Sequence, residues 1–146
     1  MAEYNKPLPL IDFDSQEYWN GCKRHELLVQ RCKNCRKFRF PPDPACRACA
    51  SLDSEWIKVS GKGKIYTYTI TTQAVLSAFR EVPYAIVLVE LDDVQGVRVV
   101  SNIVDCKPDD IYIGMPVEVV FDDVTDDVTL PKFKPVTKYN DRSRND

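Results

Sequence analysis

The stretch 31-RCKNCRKFRFPPDPACRACAS-51 decides how the rest of the chain is read. It holds two Cys-x-x-Cys pairs, Cys32/Cys35 and Cys46/Cys49, separated by ten residues in a 146-residue chain with six cysteines. One such turn offers two sulfurs at a bite that suits a tetrahedral metal, and two turns complete the ligand set. Four thiolates leave no open position for water, so the spacing points to a structural Zn2+ clip and away from a catalytic metal. Spacing alone leaves rubredoxin-like iron as the alternative. A glycine often follows the second cysteine of these turns, because the backbone there favours positive φ. Arg36 and Ala50 stand in those places, which predicts less regular knuckles.

Outward from the knuckles, 27-LLVQRC-32 and 36-RKFRFPP-42 read as the strands of a zinc ribbon, with 53-DSEWIKVSGKG-63 as a connector anchored by Trp56 and Ile57. Upstream, 7-PLPLIDFDSQEYW-19 starts extended and then offers a helix start. Asp14 and Glu17 have capping-box spacing, with Phe13 as the hydrophobic staple. A helix of roughly two to three turns follows, with Tyr18, Trp19 and Cys22 apolar and Gly21 weakening it.

Downstream the sequence reads as strands. The segment 64-KIYTYTITTQAV-75 is rich in Thr, Tyr and Ile, and 84-YAIVLVEL-91 is a continuous apolar run of the buried kind. A turn at 92-DDVQG-96 leads to 97-VRVVSNIVD-105 in a hairpin. After a loop with one helical turn come 115-MPVEVVFDDV-124 and a last edge, 128-VTLPKFKPV-136. Several short strands without a second long helix predict a small barrel, and the Gly61-x-Gly63 opening suits an OB fold. The expected organisation is mainly β: an extended and helical segment (1–26), a rubredoxin-like zinc ribbon (27–58), an OB-fold barrel (59–136) and a disordered tail (137–146).

Charge is distributed unevenly. Residues 1–64 carry 12 Lys/Arg and 8 Asp/Glu, and residues 65–146 carry 8 and 14, for a net charge of −2. The start of the chain lacks the pattern of a signal peptide, and no apolar run is long enough to span a membrane. Cysteine pairs in that context indicate a reducing, cytoplasmic setting. No phosphate loop, nucleophile elbow or zinc-protease motif is present. Cys22 and His25 lie three apart and form the one thiol–imidazole pair, but no third residue is spaced to orient them. The acidic pairs 92–93, 109–110, 122–123 and 126–127 fall at strand ends and turns without calcium-loop spacing and read as solvated loops.

A basic cluster comprises Lys23, Arg24, Arg31, Lys33, Arg36, Lys37, Arg39 and Arg47, interleaved with Phe38 and Phe40. It would serve nucleic acid, a phosphate-rich cofactor, an acidic protein surface or plain solvation. A sequence pI near 5.5 argues against a dedicated nucleic-acid binder.

The order of these parts, with 38-FRFPP-42, 56-WIKVSGKGKIYTYT-69, 83-PYAIVLVELDD-93 and 113-IGMPVEVVFDD-123, resembles the zinc-ribbon/OB-fold family of acyl-CoA-associated proteins, first catalogued as a domain of unknown function. The resemblance covers roughly residues 14–136. It implies a non-catalytic accessory subunit bound to a thiolase-superfamily enzyme, with the partner supplying the chemistry on an acyl-CoA. It places partner contacts on Tyr18, Trp19, Phe38 and Arg39, and acyl-CoA contacts on Phe79, Arg80 and Tyr84. The rival readings are a nucleic-acid-binding ribbon/OB protein and an autonomous CoA-ester enzyme using Cys22 and His25. Departures from the family pattern are the missing knuckle glycine, the less basic 43-DPAC-46 and the longer 92-DDVQG-96 turn.

Overall fold

Residues 3–136 are described by a computed structural model, and the tail expected at 137–146 lies outside the described residues. Helix α1 (Gln16–Lys23) has Ser15 as its N-cap, one step later than the Asp14/Glu17 spacing implies. Asp12 and Ser15 satisfy each other: the Ser15 N–H donates to Asp12 Oδ1 at 2.9 Å and the Asp12 N–H donates to Ser15 Oγ at 3.2 Å. With Ser15 as N-cap, Asp14 falls outside the helix, and Phe13 is 92% exposed instead of acting as a staple. The C-terminus closes as a Schellman motif, with His25 N–H on the Cys22 carbonyl and Glu26 N–H on the Gly21 carbonyl, both at 2.9 Å. Gly21 has a packing role there: a Cβ would lie 2.7 Å from the Leu28 side chain. The absent side chain lets α1 settle onto the strand that follows.

That strand, β1 (Leu27–Cys32), lies between β2 (Phe38–Arg39) and β3 (Ser54–Val59), both antiparallel to it. The expected connector is therefore a strand, paired from Leu27↔Val59 to Cys32↔Ser54. Its Trp56 and Ile57 stand across from Gln30 and Val29, and it takes up the ladder groups that β1 would otherwise leave unpaired.

The barrel comprises β4 (Lys62–Thr71), β5 (Tyr84–Leu91), β6 (Arg98–Asn102), β7 (Pro116–Asp123) and β8 (Thr129–Pro135), in the order β6-β5-β4-β7-β8. It nearly closes between its outer strands. A parallel bridge joins Ile103 to Phe133, the Val104 N–H donates to the Phe133 carbonyl at 2.8 Å, and Ser101 Oγ donates to the Pro131 carbonyl at 2.7 Å. Strand β4 serves two neighbours, pairing with β7 over Lys62–Lys64 and with β5 over most of its length. A register shift between Ile65 and Thr67 bends it. Gly63 permits the crossing, since a Cβ there would sit 2.4 Å from the Glu90 carbonyl oxygen.

Strand β5 is not buried on both faces as its composition suggests. Ala85, Val87, Val89 and Leu91 point inward, while Ile86 and Leu88 are half-buried on the other face. A sheet curled on itself has one interior, so alternate residues must face out.

One contiguous core runs from Tyr18, Cys22, Leu27 and Val29 through Val59 and Ile65 to Val117 and Phe133. Helix, ribbon and barrel thus share their burial. Phe133 is the largest fully buried side chain and sits where the barrel closes. Phe133→Ala should cost about 3–5 kcal/mol in denaturant unfolding. A loss below about 1 kcal/mol would show that closure at β8 does not depend on this ring.

Candidate metal centre and ligand cleft

Strand β1 delivers Cys32 at its end, and the two knuckles carry the chain round to bring four sulfurs together. The Arg36 N–H returns to the Cys32 carbonyl at 3.0 Å, and the Ala50 N–H returns to the Cys46 carbonyl at 2.7 Å. Arg36 (φ 65°) and Ala50 (φ 63°) both adopt the left-handed conformation, so the knuckles are as regular as glycine would have made them. Left-handed backbone at a non-glycine residue costs about 1–2 kcal/mol, a cost the sulfur cluster must offset.

The Sγ atoms of Cys32, Cys35, Cys46 and Cys49 all lie within 4.8 Å of one another, with Cys32–Cys49 at 3.6 Å and Cys35–Cys46 at 3.5 Å. A tetrahedron with Zn–S bonds of about 2.3 Å has edges of about 3.8 Å, so the donors fit zinc without rearrangement. Hydrogen bonds prepare the anionic form. The Cys35 backbone N–H lowers the Cys32 thiol, the Cys49 backbone N–H lowers Cys46, and the Asn34 amide lowers Cys49. Cys35 is the exception: the Lys37 N–H pulls it down, but burial and hydrogen bonds to its sulfur neighbours outweigh that and push it up to about 11.

Behind the knuckles, buried Gln30 holds the loop that carries the chain to Cys46. Its Oε1 accepts the Asp43 N–H at 2.9 Å, and its Nε2 donates to Ser54 Oγ at 3.0 Å. Arg39 pins the same loop by donating from Nε and Nη2 to the Asp43 carbonyl at 3.1 and 2.8 Å. Sequence reading missed Gln30, whose one available signal was a polar residue inside an apolar strand.

Of the residues expected to meet a partner, Tyr18 is 5% exposed. Its ring is engaged edge-on with Trp19 (5.0 Å) and Phe40 (5.4 Å), so Tyr18 belongs to the core and positions Trp19. Trp19 and Phe38 are half-buried, with the Arg31 guanidinium 5.6 Å over the Phe38 ring. Nearby, Leu10 and Phe13 project into solvent, and a groove of about 300 Å3 runs between residues 10–19 and 40–42.

The structure brings together Phe79 and Tyr84, ring centroids 6.1 Å apart, in a cleft of about 310 Å3 at one end of the barrel. Arg80 lines an adjoining groove of about 890 Å3 with the 77–81 and 122–124 segments. Tyr4, Lys6, Pro7, Asn102 and Lys132 also line the smaller cleft. No periodic pattern marks them, and they meet only through the fold.

Cys22 and His25 do not form a working pair. Burial pushes the fully buried Cys22 thiol up to about 12, whereas the His25 ring stacks on Phe121 and places Nε2 at 3.0 and 3.2 Å from the Asp123 carboxylate. Cys106 is half-buried at a loop. Asp122 and Asp123 end strand β7 and the other acidic pairs lie between strands, yet some are engaged: Asp93 accepts the Ser60 N–H, and Asp122 pairs with Lys132. The basic cluster is largely committed as well. Arg31 and Arg36 share Glu55, Arg24 meets Glu26, and Arg47 meets Asp43.

Comparison with known proteins bears on the same architecture. Residues 19–55 match the family model described as the ChsH2 rubredoxin-like zinc ribbon domain, and residues 56–122 match the ChsH2 C-terminal OB-fold domain. A DUF35 domain-containing scaffold protein of Methanocaldococcus jannaschii is 42% identical over 126 residues, covering 81% of this chain and 88% of that one. A probable enoyl-CoA hydratase alpha subunit of Thermomonospora curvata is 38% identical over 130 residues, but this chain spans only 40% of its length. A solved chain from a structure described as an Ltp2-ChsH2(DUF35) aldolase superposes with a TM-score of 0.81 at 37% identity, covering 89% of this chain and 100% of that one. With the sulfur geometry, the ribbon match makes the cluster a structural zinc site.

Two outcomes follow. Elemental analysis should find one zinc per chain, and a strong chelator should abolish amide-exchange protection across residues 32–52, because metal binding supplies the folding energy of so small a ribbon. Protection retained in the metal-free protein would refute that role. The second concerns Asp123, held below the ordinary carboxylate range chiefly by the hydrogen bond from Thr129 and next by that from His25. A depressed folded pKa gives stability that is present above the unfolded value and lost as pH falls through the folded one. Below about pH 4, wild type should therefore lose thermal stability more steeply than Asp123→Asn. Parallel curves would show that the contact contributes nothing.

Proposed function

We propose that this chain, which belongs to the DUF35 (ChsH2-type) zinc-ribbon/OB-fold family, is a non-catalytic accessory subunit of a partner enzyme, and that the partner is a thiolase-superfamily enzyme acting on an acyl-CoA. The observation that carries the reading is the superposition on the whole of a chain from a structure described as an Ltp2-ChsH2 aldolase, in which the family's fold stands beside a second named component. The relative named as a scaffold protein supports it. The chain's own chemistry agrees. Its one histidine is engaged with Asp123, its buried thiol is far from ionising at neutral pH, and four cysteines are closed around a metal with no free position.

The proposed parts are an extended and helical segment (1–26), the ribbon (27–58) and the barrel (59–136). Trp19 and Phe38 offer aromatic surface to the partner, with Tyr18 behind Trp19 and Arg39 shaping the adjoining loop. Phe79, Arg80 and Tyr84 meet the acyl-CoA. By analogy of fold, OB barrels bind ligands with the loops after their first and fourth strands; here the 72–83 loop borders both clefts, and Val124, at the start of the 124–128 loop, lines the larger one. The chain would thus wall a channel that the partner's active site completes. No helix among the described residues is long and apolar enough to cross a membrane, and zinc thiolates with free cysteines suit the cytoplasm.

The hydratase-named relative favours a second reading, in which the partner is a hydratase for the same class of thioester. Nucleic-acid binding is weaker, since most arginines of the basic cluster already face carboxylates.

A tagged pull-down from the source lysate, with and without nuclease, separates these readings. A thiolase-superfamily enzyme recovered at stoichiometric yield after nuclease treatment is the expected result, with no acyl-CoA turnover by the purified chain alone. A hydratase in its place would select the second reading. Partners lost with nuclease would overturn both.

A further inference from the structure

The cleft beside Phe79 and Tyr84 is not made by the barrel alone. Residues 4–7 have no regular secondary structure, yet Tyr4, Lys6 and Pro7 line the cleft, and Tyr4 and Lys6 are half-buried in doing so. The contact is specific, with Lys6 Nζ 5.4 Å from the centre of the Phe79 ring. The cleft's charged residues are Lys6, Lys132 and Glu81. Lys132 is spoken for by Asp122 at 2.6 Å, so Lys6 is, among the described residues, the cleft cation that no carboxylate holds. An ammonium resting on an aromatic face is weakly held there and is free to meet a stronger anionic acceptor. Tyr4, Phe79 and Tyr84 meanwhile give the cleft aromatic walls suited to a planar group.

We infer that the strap formed by residues 4–7 is a working wall of the ligand cleft, and that Lys6 is a specificity-determining residue for the planar, phosphate-bearing end of the ligand. This rests on the reading of the chain as a subunit that binds a CoA ester, and it assigns that site a part the barrel does not supply. The volume sets the scale. Small-molecule sites run about 300–1,000 Å3, so a cleft of about 310 Å3 takes one planar moiety with its phosphate and leaves the thioester end to reach elsewhere.

The test is isothermal titration of the full, zinc-loaded chain at low salt with coenzyme A, adenosine 3′,5′-bisphosphate and pantetheine. Coenzyme A and the bisphosphate should bind and pantetheine should not. Lys6→Gln should weaken both ligands by roughly 5–10-fold, the scale of one charge-assisted contact, with zinc content and unfolding temperature unchanged. Deletion of residues 1–7 should weaken them at least as much. Affinities within about two-fold of wild type in both variants, against a wild type that binds coenzyme A, would overturn the strap alone. Wild type that binds none of the three would overturn the CoA-ester reading and this inference with it. Tighter binding of a single-stranded oligonucleotide than of coenzyme A would overturn the ligand class.

Discussion

Drawing Cys32, Cys35, Cys46 and Cys49 to one point is the constraint on which the first half of the molecule depends. Two non-glycine residues take left-handed backbone to allow it, and a buried glutamine and an arginine hold the intervening loop in place. The ribbon has little interior of its own at the knuckle end, so metal coordination does there what hydrophobic burial does elsewhere. At the other end of β1 the situation reverses. Leu27 and Val29 enter a core that continues through Val59 and Ile65 into the barrel. One strand is therefore anchored by metal at its C-terminal end and by apolar packing at its N-terminal end.

That double anchoring bears on the proposed role. A subunit that contributes walls to another enzyme's site has to present them in a fixed geometry. Here the surfaces in question sit on segments with little regular structure: the N-terminal residues, the 72–83 loop and the loop between knuckles. Arg39 on β2 holds the Asp43 carbonyl of the loop between knuckles, while Lys6 and Phe79 bring the N-terminal residues and the 72–83 loop against each other. The His25–Asp123 contact adds a tie between the end of α1 and the end of β7. His25 occupies a left-handed cap position that glycine would fill more easily, and its ring is docked on Phe121.

Much of this architecture was legible in the chain itself, for identifiable reasons. Cysteine spacing encodes the metal site because two sulfurs three residues apart must share a turn, whatever surrounds them. Alternating β-branched and aromatic residues encode the strands, and Gly61-x-Gly63 marks where β4 lies closest to its neighbours. Less legible was anything that depended on choosing between equivalent local options. Asp14/Glu17 has cap spacing, yet the helix starts one residue later, after Ser15, whose N–H and hydroxyl are engaged with Asp12. The 54–59 segment looked like a connector because nothing local reveals that β1 has a free edge.

The sequence by itself determined the zinc ribbon and the strand-rich second half, both of which follow from residue type and short-range spacing. Only the tertiary structure decided where single side chains end up. It buried Tyr18 and Cys22, separated Cys22 from His25 by binding the imidazole to Asp123, and turned half of β5 outward. It also gathered Tyr4, Lys6, Phe79, Tyr84 and Lys132 from three distant segments into one cleft. The physical reason is the same in each case: covalent spacing constrains neighbours within a turn or a strand, whereas contacts between residues tens of positions apart exist only once the core has closed.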